Sequence, residues 1–247
     1  MDNIIAIVQA RVGSTRLPGK SLELIDSTTP LLEEVMRRVE KAKTLNGYCV
    51  ATTFEKEDDR IELLCKSSEW PCIRGPVNDV LYRFTRAAII MRASIVVRIC
   101  GDCPIIDPNI IDWCVNTFLH NELKPGIVCT GNSWPDGLDV EVTSVGNLKY
   151  ADMHAILQSD REHVFPFLRR TNPKVHTLEC GNTDLSSHRW CVDTPKDLEF
   201  IRAVYPHLKG TAWTDVMQVL KEHPEFIKIN AGQTRNSGYL MSLENDK

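Results

Sequence analysis

The run Ile4-Ile5-Ala6-Ile7-Val8, followed at once by Gln9-Ala10-Arg11-Val12-Gly13-Ser14-Thr15-Arg16-Leu17-Pro18-Gly19-Lys20, decides how this 247-residue chain is read. A short β-branched run, then a loop with two glycines and two small hydroxyl residues, then a helical pattern is how an α/β protein presents a phosphate site at the carboxyl end of a strand. The loop carries Arg11, Arg16 and Lys20, and no carboxylate lies between Asp2 and Glu23. In a chain of net charge -4 such a cluster suits an anion better than a solvated salt-bridge face. It is not a Walker loop. Five residues, 14–18, separate Gly13 from Gly19-Lys20-Ser21 where four are required, and Pro18 brings no N–H. Phosphate is therefore expected on the forks of the arginines and the lysine, with a few N–H groups near Gly13 and Ser14.

Working outward, residues 31–42 have helical spacing and 48–53 read as a strand. A helix opens at Asp58-Asp59, and a short strand over 71–74 stops at Gly75-Pro76. Asn78 or Asp79 is expected to cap the helix bearing Leu81, Phe84 and Ala88. Residues 94–100 are the most strand-like run and end in Gly101-Asp102, after which Asp107-Pro108 launches another helix. This alternation predicts a mostly parallel sheet covered on both faces, with its ligand beyond the carboxyl ends of the strands. The rhythm changes after Gly126. A strand over 127–130, the turn Pro135-Asp136-Gly137 and the alternating Leu138, Val140 and Val142 form a small β-containing extension, with Asp139 and Glu141 on the opposite face. Helices are expected over 145–159 and 162–170, strands over 175–179 and 189–192, and closing helices over 195–205 and 214–223.

With 43% hydrophobic residues the chain can bury one sizeable core, so a single α/β domain over 1–232 is expected, with a polar, aperiodic and loosely ordered tail over 233–247. A balance of 29 basic against 33 acidic residues gives no basic face for nucleic acid. No apolar run approaches the roughly 20 residues a membrane helix needs, and neither a secretory signal nor a transit peptide is read at the start. The expected setting is the cytoplasm, without membrane contact. Nine cysteines, most in apolar runs, read as reduced core thiols; Cys100 and Cys103 lack the second ligand pair of a structural zinc site.

Six segments in order carry a resemblance to a known family: residues 10–20; Arg74-Gly75 with Asp79-Val80-Leu81-Tyr82-Arg83; Gly101-Asp102-Cys103-Pro104-Ile105-Ile106-Asp107-Pro108; Asp136-Gly137-Leu138-Asp139-Val140-Glu141; Arg161-Glu162-His163; and Val192-Asp193-Thr194-Pro195-Lys196-Asp197-Leu198. Together they resemble the cytidylyltransferases that activate acidic sugars, the CMP-Kdo synthetase-like family, nearest its spore-coat polysaccharide branch. The resemblance implies a three-layer Rossmann-like nucleotidyltransferase fold, CTP and an acidic sugar as substrates, pyrophosphate as leaving group and a homodimer. It departs in one place, since the Kdo-activating enzymes commonly have Glu where Cys103 stands.

The nucleotide is expected on Ala10, Arg11, Gly13, Ser14, Arg16, Lys20 and Asp102, with Thr52 and Gly75, near the ends of their strands, shaping the base pocket through backbone contacts, and catalysis on Arg11, Lys20 and Asp102. Asp102 and Asp193 each stand where a strand-like run ends. Two carboxylates brought to one sheet edge can hold Mg²⁺ against phosphate oxygens. Capping accounts instead for Asp107 before Pro108 and for Asp197 three residues after Thr194. Arg98, inside an apolar run, must reach a carboxylate, a carbonyl or a ligand anion. Glu141, Arg161 and His163 are candidates for the sugar pocket, although Arg161-Glu162-His163 also reads as a charged helix start. Competing readings are an NTPase with a modified phosphate loop and a non-catalytic nucleotide-sugar binding or scaffold protein. A metal-dependent glycosyltransferase would show Asp-x-Asp, which this chain lacks.

Overall fold

The computed structural model describes residues 2–122 and 126–246. Strand β1 (Ile4–Gln9) leads through the basic loop to α1 (Leu31–Val39). Then come β2 (Gly47–Thr53), α2 (Asp59–Ser67), β3 (Cys72–Gly75), α3 (Val80–Ile90), β4 (Ile95–Cys100) and α4 (Pro108–His120). After β5 (Ile127–Thr130) and β6 (Glu141–Ser144) the chain forms α5 (Val145–His154), α6 (Gln158–His163), α7 (Phe165–Thr171) and β7 (Val175–Leu178). It closes with α8 (Pro195–Val204), α9 (Trp213–Glu222) and α10 (Ser237–Asn245).

The strands make one sheet in the order β3-β2-β1-β4-β6-β5-β7. All neighbours are parallel except β6, which runs antiparallel to both β4 and β5. Along β1, Ile4, Ala6 and Val8 join a core with α1, α4, α8 and α9 on one face, while Ile5 and Ile7 join a second core with α3, α5 and α7 on the other. A strand buried on both faces needs a continuous apolar run, which is what β1 has. The chain leaves β1 in one direction for β2 and β3 and then returns to β1's other side as β4. The carboxyl ends of β1 and β4 therefore flank a topological switch point. Gly101 lets those ends close up, because a Cβ there would stand 2.5 Å from the Gln9 carbonyl oxygen.

The expected caps form: Asp79 accepts from the Tyr82 amide, Asp107 from the Asn109 amide, and Thr194 and Asp197 make a reciprocal capping box. Three expectations are corrected. Residues 189–192 are not a strand; one isolated bridge joins Asp136 and Arg189, and the segment hangs on single bonds such as Trp190 N–H to Asp136 O (2.6 Å) and Val192 N–H to Asp102 O (2.8 Å). The helix expected over 145–159 stops at His154, and a second starts at Gln158. The segment expected as one helix over 162–170 is broken at Val164, where φ is 70° and Pro166 opens a new first turn. Within 233–247, residues Ser237–Asn245 form α10, which packs on α6.

Candidate active site

The loop after β1 is held from below. Asp58, 2% exposed, accepts from the Val12 amide (2.7 Å) and from the Thr53 hydroxyl, which ties the loop to the end of β2. Within the loop Val12 O accepts from the Ser14 amide (2.7 Å) and the Gly19 amide (2.9 Å). Gly19 takes the left-handed φ of 79° that turns the chain into Lys20. The Ser14 N–H is thus spent inside the loop, and side chains carry the cationic surface.

Those side chains open on a cavity of about 850 Å³ at the switch point. Its size lies near the top of the roughly 300–1,000 Å³ found for ligand pockets, large enough for two substrates side by side. Seven basic side chains and six carboxylates line it. Their arrangement matters more than their balance.

At the centre Lys20 donates to Asp102 Oδ2 (2.6 Å), to Asp193 Oδ1 (2.8 Å) and to the Val192 carbonyl (2.9 Å). Burial opposes charge on Lys20, yet Asp102 and Asp193 outweigh it and raise the ammonium above its ordinary value. Burial likewise pushes the Asp193 carboxyl up, but Lys20, Arg16 and Arg189 win and hold it below the usual carboxylate range. Arg189 is the deep member of this network, its side chain only 7% exposed. It donates to Asp193 (2.7 Å), to Asp197 (3.0 Å) and to Asp136. Burial, then Asp139, push the Asp136 carboxyl up to about 6.

Among the described residues no group of three His, Cys, Asp or Glu could hold a metal. Mg²⁺, however, takes one or two carboxylates and completes its octahedron with phosphate and water. Asp102 and Asp193 already converge on one cation at 2.6 and 2.8 Å. This all-oxygen pair fits a hard divalent cation.

Beyond the central pair, Arg98 on β4 and Glu141 on β6 are cross-strand partners and hydrogen-bonded. Glu141, 5% exposed, also accepts from Arg169 at 2.5 Å, so one acid serves two guanidinium groups. His163 faces the same region. Burial, then Arg98, lower its pKa to about 4, so the ring is neutral near pH 7. At another wall Arg83, 2% exposed, donates among the described residues only to the carbonyls of Pro76 (2.5 Å) and Val77 (2.9 Å), and its Nε has no partner among them.

Of the residues singled out from sequence, Ala10, Arg11, Ser14, Arg16, Lys20, Asp102, Glu141, His163 and Asp193 line this cavity together. Gly13, Thr52, Gly75 and Arg161 are not among its lining residues. Thr52 is fully buried, and the space above Gly75 is taken by Arg83, whose Cγ would stand 2.6 Å from a Cβ there. Arg161 is clamped by Asp79 (2.6 Å) and Asp152 (2.7 Å), joining α6 to α3 and α5. Sequence reasoning missed Arg83, Arg169 and Arg189. The signal for Arg189 is the same as for Arg98, an arginine against an apolar run, here Trp190-Cys191-Val192.

A basic loop at a switch point, with a carboxylate pair facing its lysine, is the arrangement of an α/β protein suited to phosphate chemistry. The chain belongs to the cytidylyltransferase family, whose model matches residues 5–222, and it is a CTP-dependent nucleotidyltransferase. It is 34% identical to an uncharacterized protein of Methanocaldococcus jannaschii over 95% of this chain and 97% of that protein. It is 30% identical to the spore coat polysaccharide biosynthesis protein SpsF of Bacillus subtilis, over 83% and 87%. Among solved structures, a cytidylyltransferase from Leptospira borgpetersenii superposes with a TM-score of 0.86 at 29% identity, over 95% and 99% of the two chains.

Proposed function

We propose that the chain joins CMP from CTP to a hydroxyl group of an acidic sugar, releasing pyrophosphate, as a step toward a surface polysaccharide or glycan. The observation that carries this reading is the layout of charge. Lys20 and Arg16 of the loop meet the Asp102–Asp193 pair in one cluster, and Arg98 and Arg169 share Glu141 in a second cluster lining the same cavity. A triphosphate needs the first, and a sugar carboxylate is the natural guest of the second. The polysaccharide context is supported by the likeness to SpsF, a spore coat polysaccharide biosynthesis protein.

In this reading Arg11, Arg16 and Lys20 turn to the triphosphate and offset its charge as the α-phosphorus is attacked in line. Mg²⁺ held by Asp102 and Asp193 would polarise the α-phosphate. Arg98 and Arg169 hold the sugar carboxylate, and neutral His163 offers hydrogen bonding without adding to the positive charge. The reading includes a homodimer in the cytoplasm; no helix of the described residues is long and apolar enough to cross a membrane.

Calorimetric titration with CTP, UTP, ATP and GTP, each with and without Mg²⁺, tests this, followed by pyrophosphate release with a panel of sugar acids. Selective, metal-strengthened CTP binding and release that depends on a sugar acid are expected. Phosphate in place of pyrophosphate would point to an NTPase, and nucleotide binding without turnover of any sugar acid would point to a binding or scaffold protein.

A further inference from the structure

The family match ends at residue 222, yet a segment beyond it lines the cavity. Residues 235–246 run across the opening as a strap that is fastened at three places. Arg235 donates to Asp139 (3.0 Å) and to the Trp134 carbonyl (2.7 Å). The Ser237 hydroxyl accepts from Arg16 of the basic loop. On α6, Ser242 hydrogen-bonds both Glu162 (2.7 Å) and His163 (3.1 Å), and Asp246 accepts from the Ser159 amide (3.1 Å). Ser242 is 4% exposed, and the Tyr239 ring stands edge-on to His163 at 5.0 Å between centroids.

The hydroxyl of Ser242 has one proton, and its shortest acceptor is the Glu162 carboxylate at 2.7 Å. Its oxygen then accepts from His163 Nε2, which fixes the proton on that nitrogen. Nδ1 is left with its lone pair and, among the described residues, no protein partner. His163 lines the cavity together with Arg98 and Glu141. A ring held in one tautomer, with an acceptor nitrogen to spare beside an arginine-rich pocket, is suited to read a hydroxyl group.

We propose that the strap is the acceptor-reading wall of the site. Ser242 is a positioning residue that sets the His163 tautomer, so that Nδ1 accepts a hydrogen bond from a hydroxyl of the bound sugar, with Tyr239 packed behind the ring. The inference rests on the function proposed above. It adds that acceptor choice is made by a segment outside the residues that match the family, whereas CTP is held by residues within them.

The test uses the full chain and the variants Ser242→Ala and Ser242→Thr, with pyrophosphate release measured against CTP and against the sugar acid that the parent turns over best. Loss of one neutral-to-polar hydrogen bond near 1.4 kcal/mol is about tenfold. The acceptor KM of Ser242→Ala should therefore rise by about that factor, with the CTP KM within about twofold. Ser242→Thr, which keeps the hydroxyl, should restore it. Equal rises in both KM values, or an unchanged acceptor KM, would overturn the inference while leaving the proposed reaction standing. A parent that turns over no sugar acid would instead overturn the reaction, and the inference with it.

Discussion

Replacing Lys20 by Met removes the ammonium group from between Asp102 and Asp193 while keeping most of the side-chain volume. Breaking a fully buried ion pair by removing one partner costs about 3–5 kcal/mol, and a fully exposed pair contributes about 0–1. Here the side chains of Lys20, Asp102 and Asp193 are 11%, 27% and 19% exposed, which places the loss between those limits. Asp193 keeps Arg16 at 3.0 Å and Arg189 at 2.7 Å, so Asp102 is the group left without a counter-charge. The expected loss is about 2 kcal/mol, or roughly 4–8 °C in Tm for a chain of this size. Urea and thermal melts at pH 7.5 in chelator measure it. A few millimolar Mg²⁺ should then raise the variant's midpoint more than the parent's, because the divalent cation takes the position the ammonium gave up. A variant as stable as the parent in chelator would refute the argument that this lysine offsets the two acids.

His163→Gln should flatten the fall in stability between pH 6.5 and 4. The folded state holds His163 near 4 against an ordinary 6.5, so the unfolded chain binds the extra proton in that window; the contribution is present above 6.5 and is lost as pH drops, by about 2 kcal/mol after allowance for partial exposure. Urea melts of parent and variant across that range give the difference directly. Arg189→Met strands Asp136 and Asp197 around a nearly buried site, while Asp193 keeps Lys20 and Arg16, and should cost about 3–5 kcal/mol, read as a shift of the urea midpoint. Arg169→Ala should raise the acceptor KM about tenfold with the CTP KM little changed, since its guanidinium lies beside Glu141 in the arginine-rich region.

Much of this architecture is written locally in the chain. The apolar run of β1, the Asp-Pro start of α4 and the Thr194–Asp197 box each act within a few residues, and each forms as its spacing predicts. Asp102 and Asp193 are legible because a carboxylate at the end of a buried run has few structural uses. What is not legible depends on which distant segments meet. Residues 189–192 have the composition of a strand, but Arg189 is drawn to three acids, and the backbone follows it into single bonds with residue 136 and Asp102. Arg161 reads like a site residue until Asp79 and Asp152 arrive from α3 and α5 to claim it. Helix α10 has weak amphipathic character and gains its place from α6, a partner some 80 residues earlier.

The two central carboxylates are not equivalent, and the difference bears on how the site could exchange partners. Asp193 is fixed by Arg189, a residue itself anchored by Asp136 and Asp197, so its position does not depend on the basic loop. Lys20 and Arg16 are additions to that permanent pairing, supplied by a segment whose fold rests on Asp58 and on the Val12 carbonyl rather than on the acids it faces. Either cation can leave for an anion without stranding Asp193. Asp102 has no such insurance, because among the described residues Lys20 is the one cation that contacts it. When Lys20 turns toward a triphosphate, Asp102 must gain another cation or bear an unpaired charge in a partly buried site. Anion binding at the loop and cation binding at Asp102 are therefore coupled through one ammonium group, and each should strengthen the other by the same factor.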